Sequence, residues 1–210
     1  MQRRDLVAAA VAVVLAAACV RLGIWQLHRL AERRARNAAI AARMALPPLQ
    51  ARGTLPLDSV RDRRVIASGR FDYSSEQTWP GRSYEGTPGV ALLTPLRLSD
   101  GSAVLVDRGW VPSPDAFHVD HSAYRESDSA TVEGLAVPPP QTRSGSYVQM
   151  TGLLPYIVQL EKPLPGSRGL PRRWPTPVLD EGPHLSYAIQ WFSFAVITLV
   201  GTVALLRRRP

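Results

Sequence analysis

Two stretches of the chain stay apolar long enough to cross a bilayer, and between them the pattern changes to short alternating runs. Leu6 to Val20 carries no charged side chain, and after the single Arg21 the run continues through Leu22, Gly23, Ile24, Trp25 and Leu27. Leu185 to Leu206 is wholly uncharged. At about 1.5 Å per residue it reaches roughly 33 Å, enough for a hydrocarbon core of about 30 Å. These runs predict a first transmembrane helix over 6–27 and a second over 185–206. The stretch 28–46 is rich in Ala and Arg and free of Pro, which predicts a helical extension that Pro47 and Pro48 end.

The interval 47–183 reads as one β-rich domain. Strands are expected over Val65–Tyr73, Val90–Leu98, Ala103–Val111, Thr131–Val137 and Tyr156–Leu160, with Ser99-Asp100-Gly101 turning the middle pair into a hairpin. In that hairpin's second arm Val104, Val106, Arg108 and Trp110 alternate with Leu105, Asp107, Gly109 and Val111. Strict alternation puts Arg108 and Asp107 on opposite faces, with one of the two charges partly covered. Val111 to Ser129 lacks periodicity and reads as a loop or helical insertion. The fold class is therefore two transmembrane α-helices flanking a small antiparallel β-rich (α+β) extramembrane domain, a sandwich or open barrel.

Charge changes the picture less than its total suggests. The formal net charge is +8, which invites a nucleic-acid reading. Residues 37–183, however, hold fifteen Arg and Lys against fifteen Asp and Glu. The excess lies in Arg3, Arg4, Arg21, Arg29, Arg33, Arg34, Arg36 and Arg207 to Arg209, all flanking the apolar runs, where anionic lipid is the natural partner. The chain is thus expected to meet a lipid bilayer and no nucleic acid.

Charge also bears on orientation. Asp180, Glu181 and His184 precede the second run and three arginines follow it, which predicts cytoplasmic termini and a periplasmic domain in a bacterial inner membrane. The first run points the other way, because Arg29, Arg33, Arg34 and Arg36 follow it; long loops translocate largely regardless of charge, so the second run decides. Two secretory readings compete at the N-terminus: a lipoprotein-like Leu15-Ala16-Ala17-Ala18-Cys19, and a twin-arginine start at Arg3-Arg4. The apolar sequence continues well past Cys19, which favours a retained helix.

Catalytic patterns are missing from the sequence: it has no Gly-rich phosphate loop, no Gly-x-Ser-x-Gly and no His-Glu-x-x-His. An enzyme is not expected. Cys19, the single cysteine, excludes an intrachain disulfide and a Cys-based copper or zinc site. His118-Val119-Asp120-His121 offers three metal-capable side chains but reads as a solvated loop. His184 stands at the mouth of an uncharged span and shares a helical face with Tyr187, Ala188 and Trp191. The aromatics read first as an interfacial belt; a neutral imidazole there can also ligate a haem iron. On the first helix Arg21, Trp25 and Arg29 recur every four residues, as snorkelling cations with an interfacial anchor do. Haem propionates would also favour such arginines, and His28 lies near the depth expected for His184.

Three segments resemble one known family. Leu22-Gly23-Ile24-Trp25-Gln26-Leu27-His28-Arg29 is similar to the end of the first Surf1 helix. Pro88-Gly89 through Thr94-Pro95-Leu96, then Asp100-Gly101 and Val104 to Pro112, resembles its central hairpin, with Asp107 where Asn is usual. Gly182-Pro183-His184-Leu185-Ser186-Tyr187-Ala188-Ile189-Gln190-Trp191-Phe192 resembles its second-helix signature. The resemblance implies an assembly factor for the haem-copper cytochrome c oxidase, one that binds haem a and assists its insertion into subunit I alongside other assembly factors. By the same resemblance His184 takes the haem iron, with Tyr187, Trp191, Trp25, Arg29 and His28 as accompanying cofactor-binding residues. The alternative is a scaffold that stabilises an oxidase intermediate without haem, presenting an Arg108-Gly109-Trp110 edge.

Overall fold

The computed structural model describes residues 3–207 apart from 54, 143, 144 and 147. Arg208 and Arg209, which complete the basic C-terminal cluster, lie outside the described residues. The chain divides into two compact units, one formed by Met1–Ala41 with Val178–Pro210 and the other by Ala42–Pro177. Its helices are α1 (Arg3–Met44), a single turn α2 (Leu57–Val60) and α3 (His184–Arg207). Both α1 and α3 are long and apolar enough to cross a membrane.

In the first unit α1 carries one covered stripe. Ala12, Ala16, Gly23 and Leu30 are buried, and Ala9, Cys19 and Gln26 are half-buried. Their spacing alternates three and four residues, the seven-residue period of a helix that keeps one seam against a neighbour. On α3 the covered positions His184, Ala188, Trp191, Ala195, Thr198 and Thr202 repeat at the same spacing. Small residues let the two backbones approach closely where both neighbours are apolar. At Gly23 a Cβ would come within 2.6 Å of the Phe192 ring.

The second unit is a barrel. Its strands are β1 (Leu49–Gln50), β2 (Arg64–Phe71), β3 (Gln77–Tyr84), β4 (Thr87–Leu98), β5 (Ala103–Pro112), β6 (Ser129–Val137), the short pair β7 (Gln141–Thr142) and β8 (Gly145–Ser146), and β9 (Ile157–Leu160). The main sheet runs β1-β2-β6-β9-β5-β4-β3, and β2 also pairs with β4, which closes β2-β6-β9-β5-β4 into a ring. Taken in chain order, β6 returns to lie beside β2 while β2, β4 and β5 are neighbours, the Greek-key arrangement. Then β9 fills the remaining gap, antiparallel to β6 and parallel to β5. The β-rich domain is thus mainly antiparallel with two parallel junctions, β5–β9 and β1–β2.

Alternating side chains fill the ring: Val65 and Ala67 from β2, Leu96 and Leu98 from β4, Val104 and Val106 from β5, with Tyr156 and Val158 opposite. Strands β4 and β5 are also covered outside, where Leu93, Leu105 and Ile157 form a second cluster, so they read as unbroken apolar runs. β3 is a strand that the hydrophobic pattern did not mark; Pro80-Gly81 interrupts it, and its pairing with β4 shifts register between Trp79 and Arg82. The segment expected as a loop or helical insertion holds only a short 3-10 turn at His121–Tyr124.

Strict alternation fails at one place on β5. Leu92 pairs with Gly109 and Leu93 with Asp107, so Arg108 is an extra residue, a β-bulge. Beyond it Trp110 moves to the face of Leu105 and Asp107, against Ala91, and off the face of Val104 and Val106. Asp107 and Arg108 do point opposite ways. Both are fully covered, at 1% and 0% exposure, where the sequence suggested partial cover for one.

Candidate functional site

On the α1 seam stripe the small apolar residues end at Gly23 and the next position is Gln26. There the first residue of α3 meets it: His184 Nδ1 lies 2.8 Å from Gln26 Oε1. A carboxamide oxygen only accepts, so this contact calls for an N–H at Nδ1 and leaves Nε2 outside it. The stripe then turns polar. Arg34 grips both carboxylate oxygens of Glu181 at 2.8 Å, Arg33 Nη2 lies 3.5 Å from Asp180, and Asn37 Nδ2 donates to the Asp180 carbonyl at 2.7 Å. Gly182 takes a left-handed conformation (φ 67°), and its backbone N–H donates to Asp180 Oδ1 at 3.0 Å. The lead-in to α3 is thereby fixed on the same helix that fixes the imidazole.

The other predicted residues are distributed around this point. Trp191 lies on the α3 seam stripe two turns past His184 and meets Phe194 edge to face at 5.9 Å. Tyr187 is exposed beside that stripe. Trp25 is exposed and, with Arg21, Leu22, Ile24 and His28, lines a concavity on α1. Arg29 pairs with Glu32 at 2.6 Å. His28 follows Gln26 by two residues, about 200° round the helix, so it faces away from the seam while Gln26 faces His184. The structure brings His184, Tyr187 and Trp191 to one side of α3 and does not bring His28 to them.

In the barrel the charges of the hairpin are consumed internally. Arg108 binds Glu76 at 2.6 Å and Glu126 at 2.9 Å, donates to Thr94 Oγ1 and the Tyr124 carbonyl, and lies over the Tyr73 ring. Arg173 closes the set by binding Glu126 at 2.5 Å and the Arg108 carbonyl. On the opposite face Asp107 accepts from Trp174 Nε1 and from the Gly109 N–H, both at 2.9 Å. Burial pushes the Asp107 carboxyl up to about 6, against the pull of those two donors. Trp110 is 7% exposed, so the expected Arg108-Gly109-Trp110 edge is interior and presents nothing to a partner.

The histidine-rich loop also resolves into separate jobs. His118 pairs with Asp115 at 2.6 Å, His121 lies between Glu76 and Thr78, and Asp120 caps Ser122. Among the described residues no three metal-capable side chains converge.

Comparison with known proteins bears on the whole arrangement, because the model of the SURF1 family matches residues 13–196, from within α1 to within α3. The chain belongs to the SURF1 family. An uncharacterised SURF1-like protein of Mycobacterium tuberculosis is 29% identical over 205 residues, covering 86% of this chain and 74% of that protein. A SURF1-like protein of Monosiga brevicollis is 26% identical over 217 residues, covering 89% of this chain and 83% of that protein. The SURF1 match takes in both partners of the seam contact, Gln26 and His184, together with the Asp107–Trp110 bulge. By chemistry Gln26 stands out less in the sequence than the charged and aromatic stripe Arg21, Trp25 and Arg29 beside it. The signal was present in the spacing of Ala9, Ala12, Ala16, Cys19 and Gly23, which leads straight to it.

Proposed function

We propose that this chain is an assembly factor for cytochrome c oxidase that takes up haem a at His184 and passes it to subunit I. Membership of the SURF1 family supports the role in oxidase assembly. The observation that supports haem is the His184–Gln26 contact: it engages Nδ1 of a half-buried imidazole and leaves Nε2 as the nitrogen that could serve an iron. Haem bound there would supply an iron centre in need of one imidazole and a porphyrin in need of apolar cover. Tyr187 and Trp191 offer aromatic surface on the same side of α3. Trp25 and His28 line a separate concavity on α1, and Arg29, held by Glu32, is a cation that could meet a propionate.

We place the protein in the bacterial inner membrane with both termini cytoplasmic and the barrel periplasmic. The arginines after the first span oppose this by charge count, yet three of them have acidic partners: Arg29 with Glu32, Arg33 with Asp180 and Arg34 with Glu181. Long loops translocate largely regardless of charge, and the basic end of the second span supports this orientation.

The test is purification of the full chain from cells that make haem a, with an optical spectrum of wild type and His184→Ala. Loss of the haem spectrum, with subunit I lost from the co-purified material, is expected. An unchanged haem complement overturns the ligand assignment.

A further inference from the structure

We infer that Gln26 is a positioning residue that sets which nitrogen of His184 carries the proton, and so makes Nε2 the ligand atom. The inference rests on the reading of His184 as a haem ligand for its purpose, though not for its geometry. A neutral imidazole has one N–H and one lone pair, and a metal can take only the nitrogen with the lone pair. Left to itself in water, the ring has no partner to fix that choice. Here Gln26 Oε1 sits 2.8 Å from Nδ1, in a half-buried seam where an unpaired polar atom is costly for both groups.

The surroundings hold this contact in register from both sides. One turn toward the N-terminus, Gly23 leaves room for the Phe192 ring, and further along α1 Arg33, Arg34 and Asn37 hold Asp180 and Glu181 just before His184. The identity of the acceptor matters as well. A carboxylate would draw the imidazole proton strongly and raise the basicity of Nε2, whereas a carboxamide orients the ring and adds little push. A carrier that must release its cargo is suited by the second case.

The test uses the full chain, without haem, in detergent micelles with 15N-labelled histidine; His184 is assigned by difference from His184→Ala. Wild type is expected to show the Nδ1–H tautomer. Gln26→Leu is expected to lose it, and Gln26→Glu, which keeps an acceptor oxygen, to retain it; the Glu variant keeps the test decisive should the Leu variant fold poorly. A wild-type ring in the Nε2–H form, or a Leu variant indistinguishable from wild type, overturns the inference. With haem a added, Gln26→Leu is expected to weaken binding about 10- to 100-fold. A lost tautomer in Gln26→Leu together with unchanged haem binding in His184→Ala would leave the positioning role standing and sink the assignment of haem to His184, so the two ideas fail separately.

Discussion

Arg34 and Glu181 stand 147 residues apart in sequence and meet as a two-pronged pair, each carboxylate oxygen 2.8 Å from one guanidinium nitrogen. The planar fork of arginine matches a carboxylate in a way that lysine cannot. The pair is exposed, at 55% and 48% of the two side chains, so it fixes geometry more than it adds stability. Its position, three residues before His184, makes it a sensitive reporter of how α3 is led into the seam. Arg34→Glu is expected to disturb the His184 ring environment, and the double swap Arg34→Glu with Glu181→Arg to restore it. Histidine NMR of the full chain checks both, and the rescue should fade at high salt.

Breaking the buried charge set of the barrel should be far more damaging. Arg108, Glu76 and Glu126 are all 2% exposed or less, so removing one leaves the charge of the others under-compensated and away from solvent, even though Arg173 still holds Glu126 and His121 still meets Glu76. Arg108→Ala or Glu126→Ala is expected to cost about 3–5 kcal/mol, the usual loss when one side of a buried pair is deleted. Thermal unfolding of the detergent-solubilised chain, followed by near-UV signal, measures it. Arg108→Lys should recover little, because one ammonium cannot serve Glu76, Glu126, Thr94 and the Tyr124 carbonyl together.

Much of this was legible in the sequence, and the exceptions have physical causes. The apolar runs and the alternating hairpin announced α1, α3, β4 and β5, because burial writes its period directly into the chain. β3 escaped because Pro80 and Gly81 break its alternation at a register shift. The face of Trp110 was misjudged because one bulged residue, Arg108, resets every side chain after it, and the isolated Gly109 that marks the bulge fits the strict alternation equally well. At the seam His184 stood out by chemistry, while its partner Gln26 did not, since a neutral amide attracts notice only once its neighbour is known.

Gly109 is the residue that makes the bulge possible. Its φ of 116° is open to glycine and strained for any side chain, and a Cβ there would fall well inside contact of the Arg172 carbonyl oxygen. That carbonyl accepts from the Trp110 N–H at 2.8 Å, and the Arg172 N–H returns to the Trp110 carbonyl at 2.7 Å. Gly109→Ala must therefore open this bridge as well as strain the strand. The expected outcome is a loss of several kcal/mol, above the ~1–3 kcal/mol of backbone strain alone. Protease sensitivity between Arg168 and Trp174 should rise in parallel, and a variant as resistant as wild type would contradict the account.

Asp107 gives the barrel a defined response to pH. Its carboxyl is pushed from 3.8 up to about 6 by burial, so the folded state holds the proton more tightly than the unfolded chain does. The stability it contributes is then fully present below about pH 4 and is lost as pH rises through about 6. Asp72 works in the opposite sense: hydrogen bonds from Ser74 and Arg97 hold it at about 2, so its contribution is present above 3.8 and lost only as pH falls toward 2. The window from about 4 to 6 therefore belongs to Asp107. Asp107→Asn removes the titration but offers one acceptor to two donors, the Trp174 indole and the Gly109 amide. The variant is expected to be less stable by about 1–3 kcal/mol at pH 4, where the wild-type carboxyl is neutral, with the gap narrowing as pH rises to 7. Urea midpoints of both proteins across pH 4 to 7 test this, and a gap that stays constant over that range would remove Asp107 as the titrating group.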